Sequence, residues 1–347
     1  MPVVTRKVKG NEYQYYRVWD PEEKDYADTY LGKKGEPETE EKKRDAERAD
    51  IQKQIKALRT KLTKINGFHP SKAYPSVDYS KLPINKIIND DALAVLSELP
   101  ENSIHFSVTS PPYNLGLPYD VYTDEQDHVD YRDSLKKIWK ETFRILVDGG
   151  RFALNIAPTG IADFKEVHHD LVADVKSVGF TLRTEILWYK QNMGRHTAWG
   201  SYKSPSNPHI VPSWEYVYVF HKNTPKLEGA KEDIDITAEE FQKFSDGFWH
   251  IQPETNRSGH PSPFPEDLIC RLIKFYTFKG NICLDMFAGT GTVALVALKT
   301  GRKFISIDIS RQYCDIAEKR LHEYLAQAKI EISSKSQRKS LDLTNFR

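Results

Sequence analysis

From residue 86 onward, apolar positions along the chain follow two alternating rhythms. Short runs dense in Val, Ile, Leu and Phe predict strands at 86–89, 104–109, 151–156, 181–189, 214–221, 281–286 and 303–308. Between them, apolar residues recur at steps of three and four, which predicts helices at 92–99, 131–146, 164–178, 237–244, 265–277, 292–300 and 312–329. Gly149-Gly150, Gly179 and Gly301 follow three of these helices, where a chain leaving a helix often needs a left-handed residue. Strands alternating with helices indicate an α/β fold, a mostly parallel sheet covered on both faces.

The first part of the chain reads differently. Residues 11–31 are rich in Tyr, Trp and Val, with Asp20-Pro21 as a turn signal, and predict a hairpin of two short strands. Residues 33–64 are dense in Glu, Lys and Arg and helical in pattern. Ile51, Ile55, Leu58, Leu62 and Ile65 alternate steps of four and three, a short heptad seam. Packing on the main domain is the default expectation for it, with homodimerisation next. Residues 67–83 contain Pro70, Pro75 and Pro83 and read as a linker. The expected organisation is therefore a hairpin-and-helix appendage at 1–66, a main domain at 67–330, and a flexible basic tail at 331–347.

Composition narrows the class. Of 347 residues, 39% are hydrophobic, enough for a real core. No run approaches the ~20 apolar residues of a membrane helix, and the opening MPVVTRKVKG lacks the apolar stretch of a signal peptide. Cys270, Cys283 and Cys314 are too few and too scattered for a disulfide framework or a zinc site. No metal is expected, and a reducing cytoplasmic setting fits. Net charge is only +1. Within 183–226, however, Arg183, Lys190, Arg195, Lys203, Lys222 and Lys226 oppose only Glu185 and Glu215, a local charge of +4. Either a phosphate-tracking face or solvated loops would produce it.

Two segments carry chemistry. The first, ICLDMFAGTGTVALVALKTGRKFISIDIS at 282–310, is a strand, a glycine-rich turn, a helix and a strand with an acidic end. Gly289 and Gly291 allow backbone to come close to a ligand, and the helix behind them presents amides to a polar or anionic group. Asp308 ends the second strand, where a carboxylate can hold both hydroxyls of a ribose. The dinucleotide pattern needs a third glycine that is missing here, so an adenosine-containing ligand fits better than NAD. A tight strand-to-helix turn with no ligand would also use these glycines.

The second segment, Ser110-Pro111-Pro112-Tyr113, follows a strand directly and so belongs at the carboxyl edge of the sheet. Two prolines fix the backbone and remove two donors, leaving carbonyl oxygens, a hydroxyl and an aromatic ring. Those parts suit a planar base with an amino group: the ring stacks, and the acceptors take the amino hydrogens. Accepting both hydrogens biases a delocalised amine toward tetrahedral geometry and frees its lone pair to attack a methyl donor. A packing tyrosine in a proline turn is the plainer alternative.

Together, and in this order, the two segments resemble the amino-methyltransferases of DNA, of the beta group in which the Ser-Pro-Pro-Tyr motif precedes the cofactor segment. The likeness spans roughly 85–324. Gly259-His260-Pro261-Ser262-Pro263-Phe264-Pro265 is similar to the family's segment ahead of the cofactor strand, and Asn89-Asp90-Asp91-Ala92 resembles its acidic turn beside the adenine. Trp214-Glu215-Tyr216-Val217-Tyr218-Val219-Phe220 looks like the strand before the target-recognition region. The resemblance implies a Rossmann-like methyltransferase fold using S-adenosylmethionine. It assigns the cofactor to Asp91, Pro261, Phe264, Pro265, Asp285, Phe287, Ala288, Gly289, Gly291 and Asp308, and catalysis to Ser110, Pro111, Pro112 and Tyr113. Met286 departs from the proline usual in the family.

The implied substrate is duplex DNA with the target base flipped out, since a paired base cannot reach a buried methyl donor. Ser110 stands where many adenine-directed members carry an acid, which favours cytosine N4 over adenine N6. Methylation at C5 needs a cysteine nucleophile, and none of the three follows a proline in that pattern. A target-recognition insert is expected near 190–258, with Arg195, His196, Lys203, Asn207 and Arg257 meeting phosphates or base edges. A cognate restriction endonuclease would be a genetic rather than a physical partner. The rivals are an RNA or protein methyltransferase and a DNA-binding relative without activity.

Overall fold

The computed structural model describes residues 3–8, 11–20, 25–33, 79–113, 120–121, 127–158, 166–190, 200–254 and 262–342. The chain divides into two units, Met1–Phe68 and His69–Arg347. In the first, β1 (Val3–Val8), β2 (Asn11–Asp20) and β3 (Asp25–Lys33) form an antiparallel sheet in that order. The expected hairpin is β2–β3; β1 adds a third strand through a register that pairs Val3 with Tyr16 and Val8 with Asn11. The heptad seam at 51–65 lies outside the described residues.

The second unit is an eight-stranded sheet. Its strands are β4 (Lys86–Asn89), β5 (Ile104–Thr109), β6 (Leu146–Ile156), β7 (Thr181–Tyr189), β8 (Trp214–His221), β9 (Phe248–His250), β10 (Ile282–Asp285) and β11 (Lys303–Asp308). Their spatial order is β4-β11-β10-β5-β6-β8-β7-β9. Among these strands only β8 runs against the rest, pairing antiparallel with both β6 and β7. Every residue of the central β5 and β10 is buried, as expected for parallel strands covered on both faces.

Helices α1 (Ala92–Glu98), α2 (His128–Ile145) and α3 (Val167–Ser177) cover one face. Leu96, Leu135, Trp139 and Leu171 carry its core. The other face holds α4 (Ala238–Phe244), α5 (Glu266–Tyr276), α6 (Thr292–Lys299) and α7 (Arg311–Asp342), packed through Phe244, Leu268, Leu295 and Leu321. Among the described residues, no helix is long and apolar enough to cross a membrane.

Three features differ from or add to these expectations. Helix α2 ends at Ile145, and Gly149 and Gly150 belong to β6, where Gly149 adopts a φ of 72° against the Lys226 carbonyl. Helix α7 runs on to Asp342, through 331–342 of the expected tail, a stretch with no glycine or proline to stop a helix. Within the insert expected near 190–258, Phe244, Trp249 and Ile251 are core residues, and β9 adds to the sheet beside β7.

The strand order fixes where chemistry can occur. From β5 the chain moves outward to β6, and from β10 outward to β11, on the opposite side. The loops leaving the carboxyl ends of these two neighbouring strands therefore separate and open a crevice. The Ser110 loop follows β5 and the Gly289 turn follows β10.

Candidate active site

The turn after β10 is built by two carboxylates. Asp308, at the end of β11, accepts from the Gly289 amide through Oδ2 (2.7 Å) and from the Ser310 amide through Oδ1 (2.9 Å). Asp285 is buried, and its Oδ1 accepts from Thr109 Oγ1 (2.8 Å) and the Phe287 amide (3.1 Å), which locks the end of β5 to that of β10. Burial pushes the Asp285 carboxyl up to about 7, against the pull of those two hydrogen bonds. Burial also raises Asp308. Gly291 has a φ of 75°, and a Cβ there would sit 2.6 Å from the Ala317 Cβ. The missing side chain lets α6 begin close against α7.

A cavity of about 300 Å³ opens over this turn. Of the expected residues, Asp91, Ser110, Pro112, Tyr113, Phe264, Phe287, Ala288, Gly289 and Asp308 line it. Asp285, Gly291, Pro111 and Pro265 do not: all four are buried, and they support the wall from behind. Pro261 lies outside the described residues. Asp91 also caps α1, accepting from the Ala94 amide at 3.0 Å. Met286, Ile309, Ser310, Tyr313 and the α2 residues Tyr131, Leu135 and Ile138 are also part of the wall, and the sequence pattern alone did not mark them for it. Ser310 further donates to Asp120 Oδ2 at 2.6 Å, bringing a carboxylate from the β5–α2 connection to the rim.

The Ser-Pro-Pro-Tyr loop is more constrained than its motif suggests. Tyr131 of α2 donates to the Pro112 carbonyl at 2.7 Å, occupying one expected acceptor. Tyr113 is 9% exposed, so its ring is largely wall rather than an open stacking platform. Its hydroxyl receives Ser110 Oγ at 2.8 Å and Asn155 Nδ2 at 2.9 Å, and donates to Glu215 Oε2 at 3.3 Å. Asn155 Nδ2 also donates to Glu215 Oε2 at 2.5 Å, and Lys190 pairs with Glu215 Oε1. Asn155 lies at the end of β6, Glu215 at the start of β8, and Lys190 just after β7, so three strands supply a polar cluster behind the loop. Sequence reasoning missed this cluster. The signal for it was a lone polar residue in each of two apolar runs, ALNI and WEYVYV.

Among the described residues, part of the local +4 charge is taken up by partners within the protein. Lys190 is spent on Glu215, Lys226 pairs with Glu228, and Lys222 is buried with Nζ donating to Asn102 Oδ1, Arg144 O and Leu146 O. Counting charges along a chain cannot show which ones pair inward. Lys203 and Asn207 are exposed on a loop closed by a bridge between Gly200 and Pro208. Lys203 lies 5.3 Å over the ring of Tyr202, which is 66% exposed. Arg195, His196 and Arg257 lie outside the described residues.

Comparison with known proteins gives this geometry its context. A family model described as DNA methylase, the N6/N4 methylase family, matches residues 104–319, which takes in the Ser110 loop, the Gly289 turn and the Glu215 cluster. The chain belongs to the N6/N4 DNA methylase family. A curated relative, the Type II methyltransferase M.MjaVI of Methanocaldococcus jannaschii, is 38% identical over 172 residues, 49% of this chain and 87% of its own length. A second from that organism, M.MjaI, is 26% identical over 278 residues, 68% of this chain and 91% of its own. Among solved structures, a Thermus thermophilus protein described as a DNA modification methylase, in complex with S-adenosyl-L-methionine, superposes with a TM-score of 0.57 at 28% identity. That match covers 69% of this chain and 95% of the other. The cytosine-N4-specific PvuII DNA methyltransferase shares the fold at 21% identity and a TM-score of 0.55, over 67% of this chain and 84% of its own.

Proposed function

We propose that this N6/N4 family methylase transfers a methyl group from S-adenosylmethionine to the exocyclic N4 of a cytosine flipped out of duplex DNA. The observation that carries this reading is the shared cavity: the Ser110 hydroxyl and the Gly289 turn face one space of about 300 Å³ at the strand switch point. The donor and acceptor set fits the cofactor. Asp308 stands at the rim to accept from ribose hydroxyls, while Phe287 and Ile309 (52% exposed) offer apolar surface to a purine. Asp91 adds an acceptor beside them. The cofactor supplies an electrophilic methyl group on a sulfonium.

The protein's own residues supply orientation and a hydrogen-bond acceptor. Tyr131 holds the Pro112 carbonyl, which fixes the loop. Ser110 Oγ accepts from the amino group of the base and so steers its lone pair toward the methyl donor. A neutral hydroxyl at Ser110, where many adenine-directed members have an acid, supports cytosine; adenine N6 is the second reading, with the same geometry. The Type II methyltransferase relatives support a restriction enzyme as genetic partner, with the cytoplasm as the place where both meet DNA.

The test is transfer of labelled methyl from S-adenosylmethionine to unmethylated genomic DNA, followed by mass spectrometry of the nucleosides. N4-methylcytosine is expected. N6-methyladenine would replace the base and keep the rest, whereas no labelled nucleoside from protein that binds the cofactor would overturn the proposal.

A further inference from the structure

We propose that Glu215 is a positioning residue for this reaction: through Tyr113 it draws the Ser110 proton away from the cavity, so that Ser110 Oγ meets the base purely as an acceptor and selects an amino group. The inference rests on the amino-methylation reading above and concerns how the site enforces it.

The direction of each hydrogen bond follows from one constraint. A carboxylate only accepts, and Glu215 is 4% exposed, so its lone pairs must be met by protein donors. Lys190 meets Oε1, while the Asn155 amide (2.5 Å) and the Tyr113 hydroxyl (3.3 Å) meet Oε2. Once the Tyr113 proton points at Glu215, the Tyr113 oxygen can only accept from its other neighbours. Among them are Asn155 at 2.9 Å and Ser110 at 2.8 Å, so the Ser110 proton is committed to Tyr113. What Ser110 turns to the cavity is its lone pairs. A base edge offering an amino hydrogen gains a hydrogen bond there, and one offering a carbonyl oxygen meets repulsion. The polarity of an otherwise ambivalent hydroxyl is thus set two residues away, by the buried Glu215 carboxylate and its half-buried partner Lys190.

A Glu215→Gln change keeps the size but adds an amide donor that can point at the Tyr113 oxygen, releasing the polarity of the chain. If Glu215 acts through Tyr113, its effect must vanish once the Tyr113 hydroxyl is gone, and a double-mutant cycle measures this. Single-turnover transfer to unmethylated genomic DNA should fall about 10- to 100-fold in Glu215→Gln and comparably in Tyr113→Phe, the range of one lost hydrogen bond to a charged group. The double variant should then lie within about threefold of the weaker single variant. Cofactor affinity by calorimetry should stay unchanged throughout, because no cofactor-facing group is altered.

Melting temperatures of the four proteins give the same cycle without activity, and there too the two losses should fail to add. If Glu215→Gln does not fold because Lys190 is left unpaired, the cycle is run with Glu215→Gln combined with Lys190→Met. Losses that multiply, or a Glu215→Gln rate within about twofold of wild type, would overturn the role of Glu215. Wild-type protein that methylates no base would overturn the function instead, and the melting cycle would still report on the coupling.

Discussion

Replacing Asp285 with asparagine tests the electrostatic account of the cofactor turn. In the folded protein this carboxyl is buried and titrates near 7, against 3.8 as the ordinary value. A raised acid pKa means that the folded state holds the proton more tightly than the unfolded state. Below about pH 4 both states are protonated and the site has no effect on stability. As pH rises from there toward 7, the unfolded chain releases its proton while the folded chain keeps it, and stability is lost progressively. Above 7 both are ionised and the loss is complete. At ~1.4 kcal/mol per pH unit, a displacement of about three units amounts to about 4 kcal/mol in all, of which about 3 falls between about pH 5 and about pH 8. The Asp285→Asn side chain would not titrate. It would keep both hydrogen bonds, since Thr109 and the Phe287 amide both donate to Oδ1, which an amide oxygen can replace. Stability from urea unfolding, followed by tryptophan fluorescence across that range, should show the variant gaining on wild type by about 3 kcal/mol as pH rises. Parallel pH profiles would refute the reasoning, and so would a variant that loses ground toward high pH.

Other consequences are equally direct. Gly291→Ala combines a left-handed φ with a contact of 2.6 Å to Ala317, and should destabilise by about 2–4 kcal/mol in denaturant unfolding. Ala317→Gly in the same chain should recover the contact part and leave the conformational part. Ser110→Ala should lower the methyl-transfer rate by about 100-fold while leaving the calorimetric cofactor affinity alone, because the hydroxyl acts on the base. Arg302 is buried and forked onto Asp235 (2.5 and 2.7 Å), with Thr277 accepting beside it (2.8 and 3.0 Å). Arg302→Met should therefore cost about 3–5 kcal/mol in unfolding experiments, by stranding Asp235.

Strands 181–189, 214–221 and 303–308 could be read to the residue from the chain, because their apolar runs are local and bounded by turn residues. The same is true of the loop after β5 and the turn after β10, since Pro-Pro and Gly-Thr-Gly constrain backbone within a few residues. Strand β9 was not legible: three residues become a strand only where the open edge of β7 gives them partners. Nor could the chain show that Lys222 points inward, or that Asp285 supports the wall while Asp308 reaches the rim. The clearest division falls at Ser110 itself. Its place at the sheet edge follows from the strand and the two prolines beside it. Which way its proton points depends on Asn155, Lys190 and Glu215, brought together from strands up to 102 positions along the chain from Tyr113. Hydrogen-bond polarity in a buried cluster is a property of all its members at once, so only the folded sheet decides it.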